Sequence, residues 1–564
     1  MPLVERRAAA PAADGWEWPD GMHPVLRRVL ARRSIDSPAD LELGLDHLVP
    51  VGRFDALSGA VELLLEHRDR HVVFVGDFDA DGATSTALGV LTLVDLGFAH
   101  VSFFIPDRFE LGYGLSSGAV ARLADSAPSL IVTVDNGISS VDGVAAARRA
   151  GIDVLITDHH APPGVLPAAN VIVNPNLPGD GFPGKHLAGV GVVFYLLAAL
   201  GKALGSPGSV AKYLDLVALG TVADLVRLDR LNRILVAQGV KRIRAGRCRP
   251  GIRALCEVSG TVPGEITAAN LGFQIGPRLN AAGRLDDMTI GVRCLLAASD
   301  AEARQLAATL DGLNRRRREI ESRMKAEAVE IMDSIAPAEH GAVPSLICLQ
   351  RDDWHEGLVG LIAARIKERY HRPTFAFAPA EGGMLKGSGR SIAGFHLRDA
   401  LAEVDVCEPG LIVRFGGHAM AAGLTIPAAA FAQFRDALAA VARDRLDAEL
   451  LAECILTDGE LDAEEIALPL ARLLRDSGPW GQGFPEPCFD GRFELVDFRV
   501  LKDAHLQMKL RCAGAAEVDA IAFNRGACEW PPGTDLRIVY RLAVNDYSAA
   551  AKVQLIVTHI DAAR

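Results

Sequence analysis

The sequence predicts an α/β protein built in series: a parallel-sheet domain, a long connecting helix, a smaller α/β domain and a C-terminal OB-like β-barrel. Three observations predict it. Nearly unbroken β-branched runs at 72–75, 130–134, 154–157 and 171–173 alternate with helical or loop stretches, as strands covered on both faces do. A proline-free stretch over 301–335 carries Leu306, Leu310, Leu313, Ile320, Met324 and Ile331 at spacings of three, four and seven, which describes one long amphipathic helix. Five short alternating runs, at 493–500, 506–511, 518–523, 536–544 and 553–558, then suggest a small barrel.

Composition sets the bounds. A chain of 564 residues exceeds what one core organises, and 49% hydrophobic with 23% charged residues leaves no room for extensive disorder. The net charge of -12 argues against a surface coated for duplex DNA and leaves only local basic grooves for nucleic acid. Nine cysteines without a C-x-x-C pair fit reduced thiols in the cytoplasm better than a zinc site or a disulfide scaffold. The segment 1–14 lacks the apolar core of a signal peptide, and the apolar run at 190–200 is too short to span a bilayer.

In the first domain the strand at 72–75 runs straight into Asp77, Asp79 and Asp81. Three carboxylates in five residues repel one another unless donors, solvent or a cation balance them. A solvated acidic turn would account for neither the strand before them nor the helix after them. An EF-hand loop fits its first six positions but fails at the twelfth, where Leu88 stands in place of a bidentate Glu. Asp135 follows the strand at 130–134, and Asp158, His159 and His160 follow that at 154–157. Residues just past the carboxyl ends of adjacent parallel strands converge on one crevice. Oxygen ligands with one or two imidazoles suit Mn²⁺ or Mg²⁺, and this many carboxylates suggests two ions about 3.5 to 4 Å apart.

Beyond the long helix, runs at 346–349 and 374–377 read as strands around a helix at 358–370, followed by a Gly-rich segment at 382–394 and a strand ending at Phe415. Arg315 to Arg318 and the basic run 241–247 read as solvated helix faces, with Arg317 continuing the apolar stripe. Trp480, Phe484, Tyr540 and Tyr547 could stack bases, although such aromatics are more often core residues or loop anchors.

The segments 76–85, 134–137, 157–160 and 221–224 resemble the four motifs of the DHH phosphoesterase superfamily in order and interval. The segments 276–284, 387–391 and 415–420 are similar to its RecJ branch and its DHH-associated second domain. The resemblance implies five parts: an N-terminal helical extension (1–60), a DHH catalytic domain (61–300), the connecting helix (301–335), a DHH-associated phosphate- and DNA-binding domain (336–450) and an OB-like single-strand-binding domain (451–564). It implies a 5′ to 3′ exonuclease that degrades single-stranded DNA to 5′-mononucleotides in recombination and repair, with single-strand-binding protein and a RecQ-type helicase as partners. Asp79, Asp81, Asp135, His159 and Asp224 take the place of its metal ligands. Asp224, at the end of a helix predicted over 212–223, enters only through the resemblance.

Asp77, Asp158 and His160 are the implied catalytic neighbours. His160 would either meet the scissile phosphate or leaving 3′-oxygen, or orient a metal ligand through a hydrogen bond. Arg108, Arg278, Ser388, Arg390, Ser391 and His418 are the implied phosphate and DNA contacts, with Arg390 and Ser391 reading the 5′ end. No motif position is broken, in contrast to non-catalytic relatives. A hydrolase of short oligonucleotides or cyclic dinucleotides and a non-catalytic DNA-binding scaffold are the alternatives. The barrel favours a long polymer, because it offers binding area remote from the metals.

Overall fold

The structure is a computed structural model describing residues 2–8, 17–108, 110–335, 343–502, 504–512, 516–546 and 550–563. It divides into two compact units, one of Arg6–Leu313 with Leu456–Arg564 and one of Met1–Glu5 with Asn314–Ile455.

The first unit is organised by a parallel sheet of β1 (His71–Gly76), β2 (His100–Phe104), β3 (Leu130–Val134), β4 (Asp153–Thr157) and β5 (Val171–Val173), in the order β2-β1-β3-β4-β5. Alternate side chains serve opposite faces. Val73, Val75, Ile131 and Ile156 pack under the helices Ser117–Ala124 and Val141–Arg149, whereas Val72, Phe74, Val132 and Leu155 join the core of α1 (Ala80–Asp95) and α2 (Gly189–Ala203). The four strands expected here are present. β2 was not expected, because an edge strand of sequence His-Val-Ser-Phe-Phe with half-exposed side chains carries a weak apolar signal. The chain runs from β1 to β2 on one side and then to β3 on the other, so its topological switch point lies between β1 and β3. Two further helices serve the site: α3 (Leu214–Ala223), which begins two residues later than the helix expected over 212–223, and α4 (Gly276–Leu285).

The connecting helix, α5 (Asp300–Ile335), has 36 residues; the first unit holds it through Leu313 and the second from Asn314 onward. In the second unit β6 (Ile347–Gln350), β7 (Thr374–Ala380), β8 (Met384–Arg390), β9 (Arg414–Gly417) and β10 (Ala421–Pro427) form a sheet in the order β9-β10-β8-β7-β6, parallel only between β6 and β7. The Gly-rich segment therefore contains a strand. Gly387 and Gly389 pair with Phe377 and Phe375, whose rings fill the space a Cβ would need, so the glycines let the buried phenylalanines lie flat on the sheet.

The barrel belongs to the first unit. Its strands β11 (Phe489–Leu501), β12 (His505–Arg511), β13 (Glu517–Ala522), β14 (Asp535–Asn545) and β15 (Lys552–Ala562) close in the order β11-β12-β13-β15-β14 around Phe493, Leu506, Ile538 and Leu555. Base stacking by the aromatics near it is not supported. Tyr540 is wholly buried, Trp480 stacks on buried Phe484 at 5.1 Å and donates Nε1–H to the Leu474 carbonyl, and Tyr547 lies outside the described residues. Among the described residues no helix is long and apolar enough to cross a membrane.

Candidate metal centre

Each short loop after β1, β3 and β4 delivers its side chain by a different local device. Asp79 caps α1, its Oδ1 accepting the Gly82 N–H at 2.9 Å, and this turns Asp77 and Asp81 to the same end of the sheet. Asp135 has φ of +62°, a left-handed conformation that costs a β-carbon residue about 1 kcal/mol or more and marks a position held for its side chain. Asp224 is the residue that closes α3. Asp81 is held by α2, whose first amides Gly189 and Val190 donate to its two oxygens at 2.6 and 3.0 Å.

These devices assemble three overlapping groups: Asp77, Asp79 and Asp135; Asp81, His159 and Asp224; and Asp135, His159 and His160. Within each group the ligand atoms lie within 4.8 Å of one another. His159 Nε2 sits 3.1 Å from Asp135 Oδ1 and 3.5 Å from Asp224 Oδ2. Two donors each about 2.1 Å from one cation and at right angles are separated by roughly 3 Å, so this spacing suits shared ligation. Asp77 Oδ1, Asp135 Oδ1 and Asp224 Oδ2 are buried atoms without a hydrogen bond. A buried carboxylate oxygen without a donor is costly unless a cation meets it. The donor set therefore fits hard divalent ions.

The electrostatics agree. Burial first, and Asp79 second, push Asp81 up to about 7 and raise Asp77 well above the usual carboxylate range. Asp135 and Asp224 are raised likewise by burial and then by Asp81. Only a positive charge at the centre lets all of them ionise together.

Asp158 is different. Its Oδ1 accepts from the His159 and His160 amides at 2.7 and 3.0 Å and from His160 Nδ1 at 2.7 Å, and its Oδ2 accepts the Ile138 N–H at 2.9 Å. Burial opposes its charge, yet the bonds and charge of His160 hold its pKa below the ordinary value, and those of Asp158 raise that of His160 against the burial of the ring. Both Asp158 oxygens are thus taken up in shaping the loop and in holding His160.

Other residues that support the loops were given no role by the sequence, although Asn136 and Asn280 fall inside the motif segments 134–137 and 276–284. Asn174 and Asn176 donate to the His160 and His159 carbonyls at 2.9 and 2.6 Å, and Asn136 donates to the Val75 and Val134 carbonyls. Tyr113, half exposed, donates to the Asp135 carbonyl at 3.2 Å. The 276–284 segment buttresses the first loop, since Asn280 Oδ1 accepts the Ala80 N–H at 2.8 Å and Gly283 leaves room for the Phe78 carbonyl.

The expected phosphate contacts divide. Arg108 lies over the Phe78 ring at 4.3 Å and donates to the Gly283 carbonyl. Arg278 is buried against Asp311, 2.9 Å away, which leaves it a poor anion ligand as it stands. Ser388, Arg390, Ser391 and His418 belong to the second unit. Buried Ser391 donates its hydroxyl to the Phe395 carbonyl, and the His418 N–H donates to the Ala421 carbonyl. Arg390 donates to Ser388 Oγ at 3.0 Å and to its neighbour's carbonyl; among the described residues no carboxylate comes within 4.0 Å of it, and burial lowers its pKa. In the long helix Arg317 is engaged by Glu321 at 2.9 Å.

A doubly wound parallel sheet with carboxylates and imidazole gathered at its switch point is the arrangement of the DHH phosphoesterases. The DHH family N-terminal domain model matches residues 71–221, the DHHA1 domain model 343–444 and the RecJ OB domain model 457–559. The single-stranded-DNA-specific exonuclease RecJ of Dickeya dadantii is 48% identical over 575 residues, covering 99% of this chain and all of that protein. Crystal structures of Thermus thermophilus RecJ in complex with Mn²⁺ and with Mg²⁺ superpose with TM-scores of 0.79 and 0.74 at 30% and 29% identity, covering 96% of this chain and 76% and 75% of those chains. The chain belongs to the RecJ family.

Proposed function

We propose that this chain is a divalent-cation-dependent exonuclease that degrades single-stranded DNA from the 5′ end to 5′-mononucleotides, in recombination and repair. One observation carries the reading: the buried carboxylate oxygens of Asp77, Asp135 and Asp224, none of them hydrogen-bonded, gathered around His159 on the scaffold shared with single-stranded-DNA-specific exonucleases. Two Mn²⁺ or Mg²⁺ ions, the cations in the related Thermus structures, would be held by Asp79, Asp81, Asp135, His159 and Asp224, with Asp77 joining them. Bound there, the ions would activate water and steady charge on the phosphate oxygens.

The chain's own residues do the rest. Asp158 takes the Nδ1 side of His160, so Nε2 is the atom offered to a phosphate or leaving oxygen. The Asp158–His160 bond orients the ring, Asn174 holds the His160 carbonyl and Asn176 that of His159. Arg390, with Ser388, is the group best prepared to receive a 5′-phosphate, because among the described residues no carboxylate stands against its guanidinium. Arg108 is the second cation of choice. The five-part division of the chain, a cytoplasmic setting, and single-strand-binding protein and a RecQ-type helicase as collaborators complete this reading by resemblance.

The test is incubation of the purified chain with Mn²⁺ and single-stranded DNA labelled at its 3′ end, beside a duplex and a dinucleotide. Stepwise shortening of the single strand from its unlabelled end, with the duplex spared, is the expected result. Cleavage confined to the dinucleotide would move the function to small nucleotides, and no metal-dependent cleavage would leave a binding scaffold.

A further inference from the structure

Where the barrel meets the catalytic domain, the chain buries an ion pair. Arg33, just beyond the N-terminal helix Pro24–Ala31, binds Asp458 at the entry to the barrel through Nη1 and Nη2 at 2.8 and 2.9 Å; both side chains are inaccessible to solvent. The guanidinium also lies 5.3 Å from the Trp480 ring centroid, and the remaining hydrogen bonds fill both groups. Arg33 Nε donates to the Pro485 carbonyl at 2.7 Å and Nη1 to the Val29 carbonyl at 2.7 Å, while Asp458 Oδ2 also accepts the Cys488 N–H at 2.9 Å. One guanidinium thus ties together the N-terminal extension, the segment at Asp458 and the strap 478–488, which runs directly into the first barrel strand.

The strap has its other attachment on the chain that follows Asp224. The Leu228 N–H donates to the Gln482 carbonyl at 2.7 Å, four residues beyond Asp224, and the Arg233 guanidinium lies 4.5 Å from the Phe484 ring. Between the strap and the catalytic helices is a cavity of about 550 Å³, lined by Val222, Leu225 and Val240 on one side and Pro479, Trp480 and Gln482 on the other. Packing anchors the strap at buried Phe484, on which Trp480 stacks, and the polar contacts of Gln482, Pro485 and Cys488 fix the chain on either side of it. A desolvated ion pair that apolar residues could replace without loss of stability is better suited to defining geometry than to adding stability.

We propose that Arg33 is a positioning residue: by locking the strap it holds the barrel at a constant reach from Asp224, so that one DNA strand can occupy the metal crevice and the barrel together. This rests on the single-strand exonuclease reading. A rigidly held second site contributes to affinity only for ligands long enough to span both, and that contribution falls when the tether loosens.

The test compares the wild-type chain with Arg33→Met/Asp458→Leu, which removes both charges and keeps the volume apolar, and with Arg33→Lys, which keeps the charge without the fork. Hydrolysis is measured on strands of about forty and about four nucleotides, alongside hydrogen exchange of 478–488. For the double variant KM for the long strand should rise about tenfold. KM for the short strand and kcat on both should hold, and exchange should quicken in the strap but not in the barrel strands. Arg33→Lys should fall between. An equal rise of KM on both strands, no rise on either, or unchanged exchange overturns the proposal. A wild-type chain that cleaves neither strand defeats the functional reading instead, and the exchange measurement still decides whether Arg33 locks the strap.

Discussion

The carboxyl end of the parallel sheet and the junction below the barrel both bury aspartates, and they treat them in opposite ways. At the junction Asp458 is met by two guanidinium nitrogens and a backbone amide, and Asp158, one loop behind the crevice, by four donors. In the crevice Asp77, Asp135 and Asp224 each keep a buried oxygen without a hydrogen bond, and their pKa values are raised. Burial alone therefore does not distinguish architecture from chemistry. The missing donor does, because an ionised carboxylate stays buried only where a positive charge is due.

Neutralising one member of each set separates the two roles. Asp135→Asn should lower Mn²⁺-dependent cleavage on the order of 10³-fold. The same change should raise the melting temperature of the metal-free protein, since it removes a repelled, desolvated charge; a drop in that temperature would mean Asp135 is a structural residue like Asp458. Asp458→Ala should do the reverse, costing about 3 to 5 kcal/mol in denaturant unfolding by leaving the Arg33 charge buried and unpaired.

Asp158→Asn tests the intermediate case. It should reduce turnover by roughly 10- to 100-fold, with Mn²⁺ still producing a thermal shift, because the change acts through His160 and not on an ion. The smallest effect expected is on pH dependence. Asp81, with a pKa near 7 when folded and about 3.9 when unfolded, holds a proton in the folded chain across that interval. Stability of the metal-free protein should therefore fall as pH rises from about 4 to 7, and Mn²⁺ should restore more of it at pH 8 than at pH 5. Calorimetry with and without Mn²⁺ reads this directly; Asp81→Asn should flatten the metal-free slope.

Much of the site was legible because its signals are local. An apolar run followed by Asp77, Asp79 and Asp81, with further runs ending at Asp135 and at Asp158 to His160, needs only strand periodicity and the geometry of parallel sheets to be gathered at one edge. Asp224 was not legible in that way: it ends a helix, and nothing in its neighbourhood says that α3 points at the crevice. Asn174 and Asn176 were invisible, since an asparagine that bonds a distant backbone looks like any loop asparagine, and Asn136 and Asn280 stood inside motif segments without a role of their own. The strand β8 was hidden in the Gly-rich segment, because its glycines are dictated by phenylalanines on the neighbouring strand.

The sequence by itself determined the order of the parts, the strands that frame the crevice and the chemical type of the site, because periodicity and a dense run of carboxylates are properties of adjacent residues. Tertiary structure alone decided which carboxylates are met by donors and which are left for a cation. It also committed Asp158, Ser391 and Arg278 to internal bonds and buried Arg33 against Asp458, 425 positions away. Hydrogen bonding and desolvation depend on what the fold brings within about 3 Å, and residues far apart in the chain supply most of that.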